Sequence, residues 1–413
     1  MRILISISAL LLSVFLVQVS TGTLGPLDAL SGLEIGFTRT QIGLIGSSHF
    51  IGFILGCFLS PILTRRVGHA RTFTFVTGLS VIGVLLHPLW HNLYFWMILR
   101  IMSGIAVAGA ATVIESWLNA KLNNENRSRY FSFYRIFDMG GALVAQGLIA
   151  TLPVAQYWSY SVIAICLCLS FFPLALTKSV QPTLPEHRKW RPFLAIDISP
   201  IAVAGVLVVG ATGAALRMIG PLFAYDNALS SGQIGLFLAL FIIGGAIAQF
   251  PVGFLADRFS KRKIMMSLSV ATVLLSFLMQ IEIVVDTLGI NRIFLLVFIF
   301  GMATMPIYSL AATHANDLCS QQDMTDLSAS LIFFFAIGAI ASPIFAGLLI
   351  DKFGPESLFI YFAFLHSALF VFAFYRVIKR PVIHFTKPYR YIPRTSLFIA
   401  NTIKTLRGSS SKR

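Results

Sequence analysis

Long apolar stretches, interrupted by short polar and mostly basic connections, run along the whole chain. A helix needs about 20 residues to cross the hydrocarbon core of a bilayer. Twelve segments reach that length: 4–26, 41–63, 72–91, 93–118, 130–151, 156–176, 199–224, 232–255, 264–284, 292–314, 327–350 and 357–377. They predict transmembrane helices. Backbone groups in lipid must be satisfied within a helix or a closed barrel, and these runs lack the alternation of barrel strands.

The pattern is also duplicated. Between segments eight and nine the chain reads Gly-Phe-Leu-Ala-Asp-Arg-Phe-Ser-Lys-Arg-Lys, from Gly253 to Lys263. An imperfect copy, Pro61-Ile-Leu-Thr-Arg-Arg-Val-Gly-His-Ala-Arg71, lies 192 residues earlier. Ahead of the two copies the register holds: Gln41-Ile-Gly-Leu44 recurs as Gln233-Ile-Gly-Leu236, and Ile51-Gly52 as Ile243-Gly244. Gly25-Pro-Leu27 recurs as Gly220-Pro-Leu222, shifted by three. The expected architecture is therefore an all-α membrane protein, with twelve transmembrane helices in two pseudosymmetric six-helix bundles. The bundles span 1–177 and 199–377, with a proline-bearing basic linker at 178–198 and a basic tail at 378–413.

Composition agrees, since 57% of residues are apolar and 11% charged, against about 25% charged in ordinary soluble domains. A net charge of +15 invites a nucleic-acid partner, but its placement excludes that need. With the amino terminus in the cytoplasm, 25 of the 31 Lys and Arg fall on cytoplasmic segments. Arg39, Arg292 and Lys352 face the other side, and Arg100, Arg135 and Arg217 lie within helices. That asymmetry is the positive-inside signature, and an even number of spans places both termini in the cytoplasm. The first segment resembles a signal peptide, with Arg2 and a leucine-rich core. Its length and its pairing with the seventh segment make it an uncleaved span. Cys57, Cys166 and Cys168 fall in helices and Cys319 in a cytoplasmic loop, so no disulfide framework is expected. In the tail, Ile399, Ile403 and Leu406 share a helical face beside Lys404 and Arg407. Either an interfacial helix on anionic lipid or a solvated tail fits them.

Two six-helix halves, each with a Gly/Asp/Arg-rich loop between its second and third helices, resemble the major facilitator superfamily. The Gly253 loop follows that family's G-x-x-x-D-R-x-G-R-R pattern, with Ser260 in place of the later glycine. Leu99-Arg100-Ile-Met-Ser-Gly104 is similar to a family motif on the fourth helix, with Ser103 where glutamine is usual. Glu115-Ser-Trp-Leu-Asn119 and His314-Ala-Asn-Asp-Leu318 resemble, more narrowly, the YcaD-like branch of bacterial transporters. The resemblance implies two bundles around a midplane cavity lined by helices one, four, seven and ten. It also implies a bacterial inner-membrane location.

Several residues can carry a mechanism. Gly253 permits close helix approach, and Asp257 can cap a facing helix or pair with Arg258, so the loop reads as a gate. Lys261 and Lys263 read as solvated topology charges. In the first-half copy, with Arg65, Arg66 and Gly68, an arginine stands where the family has aspartate. The loop carrying Asp317, Asp323 and Asp326 is the cytoplasmic connection without Lys or Arg, which suggests a charge-swapped latch of Arg65 or Arg66 on Asp323 or Asp326. Ionisable side chains inside membrane helices are costly and so become functional candidates. Arg100 and Arg217 lie at similar depth on helices four and seven and would suit an anionic or zwitterionic substrate, or else pair structurally across the bundle. Glu115, with Arg135 and Asp138 three residues apart on one face, forms either a proton-coupling network or a static staple. His314 beside Asp317 is a titratable candidate or a helix-end cap. Walker, Rossmann, zincin and nucleophile-elbow signatures are absent, which points away from an enzyme, a metal site or a cofactor and toward gradient-driven transport. The expected protein is a monomeric secondary transporter of a small solute, coupled to protons. Facilitated uniport and a non-transporting receptor on the same fold are the alternatives.

Overall fold

The computed structural model describes residues 2–121, 124–175, 191–280, 291–320 and 322–379. Residues 178–190 of the expected linker and 380–413 of the tail, Ile399, Ile403 and Leu406 included, lie outside the described residues. Every regular element described is helical: α1 (Arg2–Glu34), α2 (Arg39–Val67), α3 (His69–Leu86), α4 (Leu93–Lys121), α5 (Asn124–Thr151), α6 (Tyr157–Leu169), α7 (Phe171–Ala175), α8 (Leu194–Ile198), α9 (Pro200–Asp226), α10 (Ser231–Arg258), α11 (Lys261–Leu278), α12 (Asn291–Thr304), α13 (Pro306–Leu318), α14 (Met324–Phe353) and α15 (Ser357–Lys379).

Among the described residues, ten spans are long and apolar enough to cross a bilayer. The third includes a 3-10 turn, His87–Leu89, the fifth joins α6 to α7, and the eighth joins α12 to α13 across Met305. That eighth span, the expected tenth helix at 292–314, was read as one unbroken helix, but Pro306 has no N–H to continue the ladder. The more polar α5 and α11 complete the twelve-helix fold.

Helix boundaries differ from the expected ones where local sequence misleads. Helix one was expected to end at 26, yet α1 continues through Pro26 to Glu34. A proline is tolerated inside a membrane helix when neighbouring groups re-satisfy the freed carbonyl. Helix nine begins at Lys261 rather than 264. The stretch expected to be linker contains a short helix, α8, at Leu194–Ile198.

The described residues divide into two units, 2–37 with 44–175, and 38–43 with 191–379. In the first unit α1 packs along α5 and α6, while α3 packs along α4. In the second, α9 packs along α14, α10 along α12 and α11 along α15. The duplicated dipeptides now have a structural meaning. A Cβ on Gly52 of α2 would meet Ile101 O of α4 at 2.1 Å, and one on Gly104 of α4 would meet His49 O of α2 at 1.9 Å. The second unit repeats the arrangement: Gly244 of α10 against Phe298 O at 2.0 Å, and Gly301 of α12 against Phe241 O at 2.2 Å. Only hydrogen fits at such crossings, so the glycines set the helix separation.

The first turn of α2 belongs to the second unit. There Asp351, near the end of α14, accepts from Arg39 N at 3.1 Å, Thr40 N at 2.8 Å and Thr40 Oγ1 at 2.7 Å. It thus satisfies amides that the helix start leaves open. Arg39 in turn forks onto the Asp226 carboxylate at the end of α9, with Nε to Oδ2 at 3.0 Å.

Candidate functional site

The first unit encloses a charge cluster that the sequence only half disclosed. Asp28 sits two residues beyond Pro26, on the part of α1 that runs past the expected helix end. Its Oδ2 lies 3.3 Å from His87 Nε2 and 3.4 Å from Arg100 Nη1. The side chains of Asp28 and His87 are fully buried and that of Arg100 is 6% exposed. His87 occupies the 3-10 turn after α3, where its Nδ1 is 2.7 Å from the Gly83 carbonyl. Trp96 of α4 donates from Nε1 to the His87 carbonyl at 3.0 Å. The His87 ring stacks on Tyr160 of α6, centroids 5.5 Å apart and planes 10° apart, and Trp96 meets it edge-on at 5.1 Å. The aromatic walls fix the imidazole in place. Within this buried box, Asp28 Oδ1 and Oδ2, His87 Nε2, and Arg100 Nε and Nη1 make no hydrogen bond of ordinary geometry. Buried polar atoms are rarely left so, and the group is held by charge more than by directed bonds.

Arg100, read either as a substrate contact or as a structural pair across the bundle, is 5% exposed, with its Nη1 3.4 Å from Asp28 Oδ2. Arg217 is exposed, while Ala214, Ala215, Leu216, Met218 and Ile219 around it on α9 are buried.

Lower on α4, Glu115 is fully buried and its Oε1 accepts from the Tyr134 hydroxyl of α5 at 3.0 Å. Tyr134 was not singled out from the sequence. Arg135 and Asp138 pair at 2.9 Å on α5, as their spacing requires.

In the second unit, α11 and α13 meet at a polar contact. Lys261 Nζ donates to Asp317 at 2.7 Å, the side chains 7% and 10% exposed, and Arg262 Nε donates to His314 Nε2 at 3.2 Å. Lys261 is thus a buried partner and not the solvated charge expected; Lys263, next to it, is exposed. His314 is engaged by Arg262 across the helix pair. Behind them Ala248, Val252, Ala256, Ile264 and Leu310 form an apolar cluster. Gly253 is buried beside it, and Asp257 and Arg258 are exposed at the end of α10, with Arg258 over the Phe254 ring at 4.0 Å. Asp323 pairs with Arg191 at 3.0 Å, and Asp326 is half-buried in the first turn of α14. Arg65 and Arg66 are exposed at the end of α2, and Gly68 takes a φ of 87° between α2 and α3, where other residues would be strained.

A repeated helical membrane fold with buried charge clusters is that of a polytopic solute transporter. The family model described as Major Facilitator Superfamily matches residues 10–226 and again 201–409, so the chain belongs to that superfamily and is a transporter of its type. An uncharacterized transporter of this type from Enterobacter sp. (strain 638) is 25% identical over 325 residues, covering 78% of this chain and 83% of the relative. The YcaD transporter of Escherichia fergusonii is 24% identical over 325 residues, with the same coverages of 78% and 83%. Among solved structures, a point-mutant form of the nucleoside transporter NupG superposes with a TM-score of 0.77 at 13% identity, over 90% of this chain and 99% of that one. An inward-facing, occupied bacterial homolog of the human lysosomal transporter Spinster gives 0.68 at 14%, over 92% and 98%. Both share the fold.

Proposed function

We propose that this chain is a secondary active transporter of the bacterial inner membrane. It moves a small anionic or zwitterionic solute by alternating access, with protons as coupling ion, as a monomer with both termini in the cytoplasm. Superfamily membership supports the transport reading, and the placement of 25 of the 31 Lys and Arg supports the topology. The observation that carries the substrate class is Arg217. It lies nine residues before the end of α9, about 14 Å along a helix axis, and it is exposed on a helix whose neighbouring positions are buried. Facing lipid at that depth would cost a guanidinium upward of about 2.5 kcal/mol, so a water-filled space is the favoured surrounding. A fixed cation there selects a negative group.

The test is flux into proteoliposomes of labelled small anions, zwitterions, neutral solutes and cations, with Arg217→Gln in parallel. Movement of an anion or zwitterion that responds to an imposed pH gradient, and an affinity weakened at least tenfold in R217Q, is the expected result. Binding without flux would make the protein a receptor, and pH-independent flux a uniporter. Flux confined to cations would refute the substrate class.

A further inference from the structure

We propose that the end of the second unit where α11 begins and α15 ends binds an anionic phospholipid. Lys263, Arg376 and Lys379 hold its phosphate, and its acyl chains lie along the two helices. The apolar pattern locates the lipid face. On α11, Val270, Leu274 and Phe277 are exposed at helical spacing, and on α15 Phe364, Val371 and Ile378 are exposed at intervals of two turns. These are the outward stripes that a membrane helix turns toward hydrocarbon. Each stripe closes on a lysine. Lys263 lies two turns before Val270 and is exposed. Lys379, also exposed, follows Ile378, with its Nζ 5.3 Å from the centre of the Tyr375 ring. Arg376 lies half-buried one turn earlier on α15.

The two helices run antiparallel, and a contact at their far end fixes the register. Gln280 Nε2, just past α11, donates to the carbonyl of Glu356, just before α15, at 3.0 Å. From that contact, at about 1.5 Å per residue, Lys263 is about 25 Å away, Arg376 about 30 Å and Lys379 about 35 Å. The three cations therefore share one level, roughly a hydrocarbon thickness of about 30 Å from the far contact. At that depth a lysine runs its stem along the stripe and leaves its ammonium among headgroups. Protein charge does not neutralise them. Among the described residues none of the three has an acidic partner, whereas Lys261 and Arg262 are engaged by Asp317 and His314. Asp257, exposed at the end of α10, is the acid nearest Lys263 in sequence, and it leaves the group net positive. Residues 380–413 contain no Asp or Glu, so the chain's own tail is not the counter-charge. The opposite end differs, because Lys352 lies between Asp351 and Glu356 in sequence. A phosphodiester supplies the missing charge, and the planar guanidinium of Arg376 suits two of its oxygens. A soluble anion would meet the cations but leave both stripes unused.

The test equilibrates the purified full chain with mixed micelles of phosphatidylcholine and phosphatidylglycerol, and native mass spectrometry reads the lipid of each kind retained. Wild type should retain phosphatidylglycerol in preference. A cation near the surface is worth about fivefold in affinity for anionic lipid. Lys263→Gln or Lys379→Gln should thus lower the preference about fivefold, and the double variant about 25-fold. Lys352→Gln removes the same charge from the opposite end and should leave the preference unchanged. In phosphatidylcholine alone all variants should melt with wild type, because none breaks an ion pair. Wild type itself gives a second measurement that needs no variant to fold. Its preference should shrink severalfold between about 0.1 and 1 M salt, as the screening length falls from about 10 to 3 Å. Equal retention of both lipids, a double variant with the wild-type preference, a loss in K352Q as large as in K263Q, or indifference to salt would overturn the site. Flux enters none of these outcomes, so failure of the lipid site leaves transport intact and the reverse.

Discussion

Gly104 offers the sharpest test of how the helices are held. A methyl group there would lie 1.9 Å from His49 O and 2.6 Å from Phe53 N. Ordinary contact begins at 3.4 Å, so α2 and α4 must part by about 1.5 Å at the crossing. A gap of 0.5 to 1 Å already forfeits a quarter to a half of each atom-pair attraction, and a pair is worth about 0.1 to 0.2 kcal/mol. Roughly 20 to 30 pairs losing about half of that value give about 1 to 3 kcal/mol. Gly104→Ala should then lower the melting temperature of the purified protein by about 2 to 12 °C, at 2 to 4 °C per kcal/mol for a unit of this size. Gly78 and Gly147 provide the controls, because nothing lies within 4 Å of a Cβ built on either. Alanine at those positions should be neutral or stabilise by up to about 1 kcal/mol through helix propensity. Gly301→Ala, against Phe241 O at 2.2 Å, should behave like G104A. A G104A protein that melts with wild type, or controls that fall as far as it does, would refute the reasoning.

Two further outcomes follow from the second unit. Asp317→Ala strands the Lys261 ammonium beneath α13 and should destabilise by about 3 to 5 kcal/mol, whereas Lys261→Met combined with Asp317→Leu should recover most of that loss; a double variant no better than D317A would argue against the buried pair. Cys319 lies outside the spans, and burial, aided by Asp323 and Asp326, pushes its thiol up to about 11. The thiolate is the reactive form, so maleimide labelling at this residue should be slow near neutral pH and accelerate only as pH rises toward that value. Rapid labelling at pH 7 would contradict the burial.

What the sequence disclosed was periodic, and what it withheld was pairwise. The glycine dipeptides at 52 and 244 were legible as repeats, and their register reports the same helix crossing in each unit. Arg100 was legible as an expensive charge; its partner was not. The first span was expected to end at Pro26, so Asp28 fell outside it and was not singled out. One signal was available: an acid just past the duplicated Gly-Pro-Leu, in a chain with an arginine inside a membrane span, calls for a pairing. His87 gave no such sign, because it fell inside the expected span 72–91 and was not singled out there. Lys261 was misread for the opposite reason. Within Lys-Arg-Lys all three residues look solvated, and only the placement of α13 decides which one is buried against Asp317.

The glycine crossings also say which parts of the molecule can slide. Where two backbones lie close enough to exclude a methyl group, lengthwise slippage would drive a larger residue into a carbonyl. The helices α2 and α4 therefore travel as one plank, and α10 with α12 as another. Bending has an outlet just beyond the second plank, at Met305–Pro306, where the ladder is already open and α13 carries His314 and Asp317 on the far side of the joint. A swing of α13 at that joint would move its two polar anchors while the planks stayed whole.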